Sequence, residues 1–220
     1  DPLWSRGLGD VYKRQVGNCL DVQSFINAQP LSRYQWRVVI LCFLIVFLDG
    51  LDTAAMGFIA PALSQDWGID RASLGPVMSA ALIGMVFGAL GSGPLADRFG
   101  RKVVLVGAVL LFGAFSLASA YSTNVDQLLV LRFLTGLGLG AGMPNATTLL
   151  SEYTPERHKS LLVTSMFCGF NLGMAGGGFI SAKLIPAFGW HSLLLIGGVL
   201  PLILALVLVL WLPESARYLV

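Results

Sequence analysis

The sequence predicts an all-α membrane protein with six transmembrane helices, and three observations support that fold class. Of the 220 residues, 55% are hydrophobic and only 12% are charged, whereas an ordinary soluble domain is about 25% charged. Six apolar stretches each approach the ~20 residues that one helical crossing of a bilayer requires. Charged or turn-forming residues separate these stretches. The composition argues against a soluble enzyme, a disordered protein or a nucleic-acid-binding protein, so no nucleic acid is expected as a partner.

The chain divides into four parts along its length. Residues 1–15 have no apolar centre, and their pattern does not continue into residue 16 and beyond, so they are interpreted as a non-native leader. Residues 16–37 form a cytoplasmic N-terminal segment, 38–212 the six-helix transmembrane bundle, and 213–220 the start of a cytoplasmic central loop that we expect to be truncated. The six predicted spans, in order, are Val38–Ala60, Leu74–Ala96, Val103–Tyr121, Leu128–Leu150, Leu161–Ala182 and Leu193–Leu212.

Lysine and arginine are distributed unequally between the two sides that alternating spans define. Eight lie on the side of the N-terminus and two on the other, which predicts a cytoplasmic N-terminus by the positive-inside rule. We therefore expect a multi-pass protein of a bacterial-type inner membrane. The eight are Arg33, Arg37, Arg98, Arg101, Lys102, Arg157, Lys159 and Arg217, and the two are Arg71 and Lys183.

Glycines recur at four-residue spacing within the predicted helices, a pattern that lets helix backbones approach closely in lipid. They are Gly84/Gly88, Gly136/Gly140 and Gly169/Gly173/Gly177. By contrast, three scattered cysteines and two histidines form no disulfide framework and no metal site. No nucleophile–base set points to an enzyme, and no cofactor is predicted.

Three charged residues, Asp49, Asp52 and Arg132, lie within predicted spans. An intramembrane charge costs about 2.5–3.5 kcal/mol on insertion scales and is a functional candidate by default. Asp49 and Asp52 are three residues apart, hence on one helix face. Helices 1 and 4 run in opposite directions, and counting residues at about 1.5 Å each from their outer ends places Asp52 and Arg132 at similar depth in the membrane. The two residues are therefore expected to share a cavity, where they could pair.

Such a pair has the chemistry that proton coupling requires. Burial disfavours the charged form of a carboxyl group and a nearby arginine favours it, so movement of the arginine or binding of an anion can change proton occupancy. The alternative is that the two acids hydrogen-bond locally and only hold helix 1 in place. Asn145 and Asn171 are polar residues within spans and complete the candidate substrate site.

The break after helix 2, Gly93–Lys102, reads GPLADRFGRK. It resembles the signature that the major facilitator superfamily carries between helices 2 and 3. Arg132 with Gly136 and Gly140 resembles that family's helix 4 signature, and Pro213–Arg217 resembles its P-E-S-x-R motif after helix 6. The resemblance implies the N-terminal half of a twelve-helix major facilitator fold, with a second six-helix half as its partner. Helices 1 and 4 would line the cavity, and helices 3 and 6 would face outward.

A narrower resemblance lies in helix 1, where Asp49–Asp52 reads DGLD. This segment is similar to the D-G-x-D segment of the aromatic acid:proton symporters, which carry 4-hydroxybenzoate and protocatechuate. The resemblance implies that both acids are required for transport. A glycine-rich stretch in helix 5, Gly169–Gly178, lacks the Gly-Pro pair usual in antiporters of the superfamily, which favours a symporter.

The resemblance also implies a cytoplasmic gate at the helix 2–3 break, formed by Gly93, Asp97, Arg98, Gly100, Arg101 and Lys102. Four charged residues on the same side of the membrane could extend this gate, namely Glu152, Arg157, Glu214 and Arg217. The alternative for these four is solvated loop charge that contributes little. The predicted function is proton-coupled import of an aromatic carboxylate, driven by the proton gradient, with the lipid bilayer, protons and the substrate as partners. The alternatives are a carrier for another organic acid or a sugar, and a transporter-like membrane sensor.

Overall fold

The computed structural model describes residues 32–212, and all regular structure within that range is helical. Six helices there are long and apolar enough to cross a membrane, as predicted. A short 3-10 turn, Arg71–Leu74, precedes the second helix. The helices are α1 (Arg33–Asp66), α2 (Gly75–Phe99), α3 (Arg101–Ser119), α4 (Val125–Tyr153), α5 (Glu156–Phe188) and α6 (His191–Trp211). The predicted leader, most of the N-terminal segment and residues 213–220 lie outside the described residues.

Several helices are longer than the spans predicted from hydropathy. The α1 helix begins at Arg33 rather than Val38 and continues to Asp66 rather than Ala60, and Lys183 lies within α5 rather than in a break. Hydropathy marks the apolar part of a helix, whereas the backbone hydrogen bonds continue into polar turns beyond it. Local caps fix two of the starts: Ser32 and Gln35 form a capping box at α1, and Asn124 accepts from the backbone of Gln127 at α4.

The packing has an internal two-fold pattern that relates α1–α3 to α4–α6. The most extensive contacts are between α2 and α4 and between α1 and α5, and these two pairs exchange under that relation. The same holds for the contact of α3 with α4 and that of α6 with α1. Inverted three-helix repeats of this kind are a building principle of secondary transporters.

Glycines permit the closest helix contacts, as their spacing predicts. A Cβ atom on Gly88 would collide with the backbone carbonyl of Leu137, and one on Gly140 with that of Met85. On the other side of the bundle, Gly173 of α5 meets the backbone of α1 in the same way. The α2–α4 and α1–α5 pairs therefore pack backbone against backbone, which any side chain at these positions would prevent.

The apolar core is divided into two clusters, one toward each end of the bundle. In α1 the first cluster extends as far as Leu48 and the second begins at Ala55. The same gap recurs in the other core helices, at Ser116 of α3, Arg132 of α4 and Gly197 of α6. A polar layer thus crosses the middle of the bundle between two apolar ones.

Candidate functional site

An ion pair between α1 and α4 lies at the centre of the polar layer. Arg132 Nη1 is 3.1 Å from Asp52 Oδ2, and the two residues are only 1% and 2% exposed. The expectation that antiparallel helices bring Asp52 and Arg132 to one depth, where they pair, is confirmed. Removing one partner of such a pair leaves an uncompensated buried charge, so a substitution of either residue alone is expected to be strongly destabilising.

Ser116 on α3 joins the ion pair, which the sequence reasoning missed. Its hydroxyl donates to Asp52 Oδ1 at 2.6 Å and accepts from Arg132 Nη2 at 3.4 Å. On α6, a Cβ atom at Gly197 would be 3.3 Å from Asp52 Oδ1 and 3.4 Å from Ser116 Oγ. The helices expected to face outward, α3 and α6, therefore also contribute to the site. Hydropathy does not single out a serine or a glycine within an apolar span, so neither residue could be recognised from the sequence.

Asp49 lies on the same helix and is equally buried, at 2% exposure, but its surroundings differ from those of Asp52. Neither carboxylate oxygen has a hydrogen-bond partner among the described residues. On α4, a Cβ atom at Gly142 would be 3.3 Å from Asp49 Oδ2. The two acids that one sequence motif presents thus occupy unlike environments, one compensated by a guanidinium and one not.

A cavity of about 260 Å³ borders the ion pair between α1, α2 and α4. Its wall is largely apolar, and the buried Thr53 Oγ1 and Arg132 Nε have no hydrogen-bond partner among the described residues. A cavity with few polar groups in an apolar wall suits a small ligand with an apolar body and an anionic or hydroxyl group. The lining residues are Asp52, Thr53, Ala54, Met56, Gly57, Met78, Ala81, Leu82, Met85, Arg132 and Leu139.

The two asparagines predicted for the site lie away from this cavity. Asn145 is buried, and its Nδ2 donates to the Ala141 carbonyl of its own helix at 2.8 Å. Asn171 is exposed on α5 and donates to the Phe167 carbonyl at 3.5 Å. Neither lines the cavity, so a part for either in substrate binding stays a prediction.

A second charged cluster joins three helix ends at one end of the bundle. Arg101, in the first turn of α3, places Nε 3.2 Å from Glu152 Oε1 of α4 and Nη2 3.9 Å from Asp97 Oδ1 of α2. Gly100 separates α2 from α3 with a φ of 90°, a conformation that other residues rarely adopt. The tight turn brings the acid and the base of the predicted gate within reach of each other.

The other predicted gate residues within the described range lie on α2, α3 and α5. The Arg98 guanidinium lies 5.4 Å from the ring centroid of Phe99. Gly93 lies in α2 where an added Cβ would meet nothing within 4 Å. Lys102 is in the first turn of α3 and Arg157 in that of α5, at the same end of the bundle. Glu214 and Arg217 lie outside the described residues.

Comparisons with known proteins agree with this architecture. The 4-hydroxybenzoate transporter PcaK of Pseudomonas putida is 90% identical over 208 residues, which are 94% of this chain and 46% of that protein. A gallate transporter of the same species is 58% identical over 94% of this chain and 46% of its own length. The chain thus spans about half the length of the curated relatives it matches.

A solved structure and a family match complete the assignment. The xylose transporter XylE from E. coli superposes with a TM-score of 0.73 at 22% identity, over 84% of this chain and 50% of XylE, a likeness that concerns the fold. Residues 42–219 match the family described as Major Facilitator Superfamily. The predicted family and half-fold are both confirmed. The chain belongs to the major facilitator superfamily, as a multi-pass membrane protein whose six helices form one half of that fold.

Proposed function

We propose that this chain, together with a second six-helix half, forms a symporter that imports an aromatic carboxylate with protons. Substrates such as 4-hydroxybenzoate or protocatechuate fit the proposal, and the proton gradient is the energy source. The observation that carries it is the buried Asp52–Arg132 pair at the wall of the cavity, 3.1 Å apart. The relatives named as 4-hydroxybenzoate and gallate transporters support the same class of substrate.

The pair offers a direct way to couple an anion to a proton. A substrate carboxylate that approaches Arg132 competes with Asp52 for the guanidinium. When Arg132 turns to the substrate, the carboxylate of Asp52 loses its compensating charge in a buried site and takes up a proton. Release of the anion returns Arg132 to Asp52 and expels the proton. The anion and the proton therefore load and leave together.

Asp49 is the candidate for a second proton-binding group. A buried carboxylate with no donor and no counter-ion is strongly unfavourable, whereas a protonated carboxyl is less so. Asp49 has neither a hydrogen-bond partner nor exposure to solvent among the described residues. Its lack of a partner distinguishes it from Asp52 and suits a group that holds its proton through part of the cycle.

The charged cluster at the α2–α3 turn is proposed as the cytoplasmic gate. Arg101, Asp97 and Glu152 tie the ends of three helices together, and ties of this kind break when helices separate. The excess of lysine and arginine at this end supports its assignment to the cytoplasm of a bacterial inner membrane. The N-terminus would then also be cytoplasmic.

Uptake by the full-length transporter tests the proposed function. In vesicles with an imposed pH gradient, labelled 4-hydroxybenzoate is expected to accumulate, by about tenfold per pH unit for one coupled proton, because one unit is ~1.4 kcal/mol. A protonophore should abolish the accumulation. A panel with protocatechuate, gallate and xylose identifies the substrate class. Accumulation that ignores the protonophore would contradict proton coupling, and absence of uptake for every compound would favour the sensor alternative.

Weakening the gate is expected to slow transport without changing substrate affinity. Glu152→Gln removes the carboxylate charge beside Arg101 and should lower the rate of uptake about tenfold. This factor corresponds to the free energy of one hydrogen bond to a charged group. The double exchange Arg101→Glu with Glu152→Arg should recover part of the rate. Lys159→Gln, a change at an exposed position near the same end, is the control and should leave the rate unchanged. Equal slowing by Glu152→Gln and Lys159→Gln would refute a specific gate contact.

A further inference from the structure

Ser116 makes the shortest hydrogen bond in the polar layer. Its Oγ lies 2.6 Å from Asp52 Oδ1, within the range of a hydroxyl that donates to an ionised carboxylate. The side chain is fully buried and comes from α3, a helix without charge over its apolar length. The other oxygen, Oδ2, accepts from Arg132. Each carboxylate oxygen of Asp52 therefore has its own donor, from a different helix.

The groups that surround Asp52 single out this hydroxyl. The charged and titratable residues nearby are Arg132 on α4 and Asp49 on α1, while the cavity residues from α2 are apolar. On α6, Gly197 approaches the carboxylate, and an added Cβ there would lie 3.3 Å from Asp52 Oδ1. The donors to the carboxylate are thus one guanidinium, which an anionic substrate can attract away, and one hydroxyl, which has no charge for a substrate to attract.

The hydroxyl favours one protonation state of Asp52 over the other. While Asp52 is ionised, the hydroxyl hydrogen points at Oδ1 and contributes a charge-assisted bond. When Asp52 takes a proton, that bond becomes a weaker neutral one, or the hydroxyl turns to a carbonyl of its own helix. Ser119, one turn further along α3, is in that second arrangement and donates to the Phe115 carbonyl at 2.7 Å.

We propose that Ser116 is a positioning residue that sets the pH range over which Asp52 exchanges its proton, by stabilising the ionised carboxylate in the state in which Arg132 pairs with it. This inference rests on the proposed symport and deepens it. Without the hydroxyl, Asp52 would hold its proton to higher pH and release it late in the cycle. With it, the ionised carboxylate is stabilised as the guanidinium returns, so that the proton leaves together with the anion.

The test compares the pH profiles of three α3 variants in the full-length transporter. Initial uptake of labelled 4-hydroxybenzoate is measured from pH 5 to 9 together with counterflow exchange, which needs no net proton movement. Ser116→Ala is expected to move the high-pH midpoint of the uptake profile upward by about one pH unit. This shift corresponds to the free energy of one hydrogen bond to a charged group. Ser116→Thr keeps the hydroxyl and should keep the midpoint. Ser119→Ala removes a buried hydroxyl that donates to its own helix rather than to Asp52, and it should leave the midpoint unchanged.

The outcomes separate this inference from the proposed function. If Asp52→Asn abolishes accumulation but Ser116→Ala leaves the midpoint in place, or moves it downward, the role of Ser116 is refuted while symport stands. If Asp52→Asn still accumulates substrate against its gradient, the proposed coupling through Asp52 fails, and accumulation that ignores a protonophore would refute symport itself. Should Ser116→Ala not reach the membrane, Ser116→Cys replaces it. Its weakly donating thiol should shift the midpoint upward by less, and an unchanged midpoint would overturn the proposal.

Discussion

Removing one partner of the central ion pair is expected to cost about 3–5 kcal/mol of folding stability, because the other charge is left buried and uncompensated. Arg132→Gln leaves the Asp52 carboxylate in that state, and Asp52→Asn leaves the guanidinium. The double variant removes both charges and should recover most of the stability, since a neutral pair needs no compensation. Thermal unfolding of the purified full-length transporter in detergent measures all three.

The same variants decide what the pair is for. If the pair drives proton coupling, the double variant should be nearly as stable as the parent yet fail to accumulate 4-hydroxybenzoate. We expect its uptake to fall by about 100-fold or more, the size of effect seen when a preorganised electrostatic group is removed. If the two residues only hold α1 in place, the stable double variant should transport normally. Asp126→Asn, at an exposed position in the first turn of α4, is the control and should change neither stability nor uptake.

A second large effect is expected at the contact between α2 and α4. Gly88→Ala places a methyl group against the Leu137 backbone carbonyl, and backbone cannot move aside as a flexible side chain can. The two helices must separate, which should cost about 3 kcal/mol, at the upper end of overpacking penalties. Thermal unfolding and the yield of monodisperse protein should both fall clearly.

The same helix supplies a matched control for that change. An added Cβ at Gly91 meets nothing within 4 Å, so Gly91→Ala makes the same chemical change without a clash. It should be neutral or stabilising by up to about 1 kcal/mol, because alanine is the better helix former. If both variants lost stability equally, the effect would stem from helix flexibility rather than from the close approach of α4.

The pairing of Asp52 with Arg132 could be predicted because it depends on few quantities. Span length fixes the depth of each residue, alternation of spans fixes the direction of each helix, and charge is rare enough in a span to stand out. The glycine contacts could be predicted for a similar reason, since four-residue spacing places the glycines on one helix face. Depth, direction and glycine spacing are properties of single helices, so they can be determined before it is known how the helices pack.

Ser116 and Gly197 could not be predicted in this way. Both are small residues in apolar helices, and which face of α3 or α6 points inward depends on how those helices rotate against α1 and α4. The different environments of Asp49 and Asp52 have the same origin: a three-residue offset puts both on one side of α1, but only the neighbouring helices determine which acid meets the guanidinium. Hydropathy and residue spacing along the sequence do not reveal which side chains of different helices contact each other.

Hydropathy, charge distribution and helical periodicity therefore sufficed to establish six spans, their alternating direction and the charged residues that lie within them. The hydroxyl that supports Asp52, the unpartnered state of Asp49 and the cavity between α1, α2 and α4 emerged only from the packed helices. Depth in the membrane is set by distance along one chain segment, whereas the partners of a buried side chain are set by helix rotation and crossing, to which residues distant in sequence contribute.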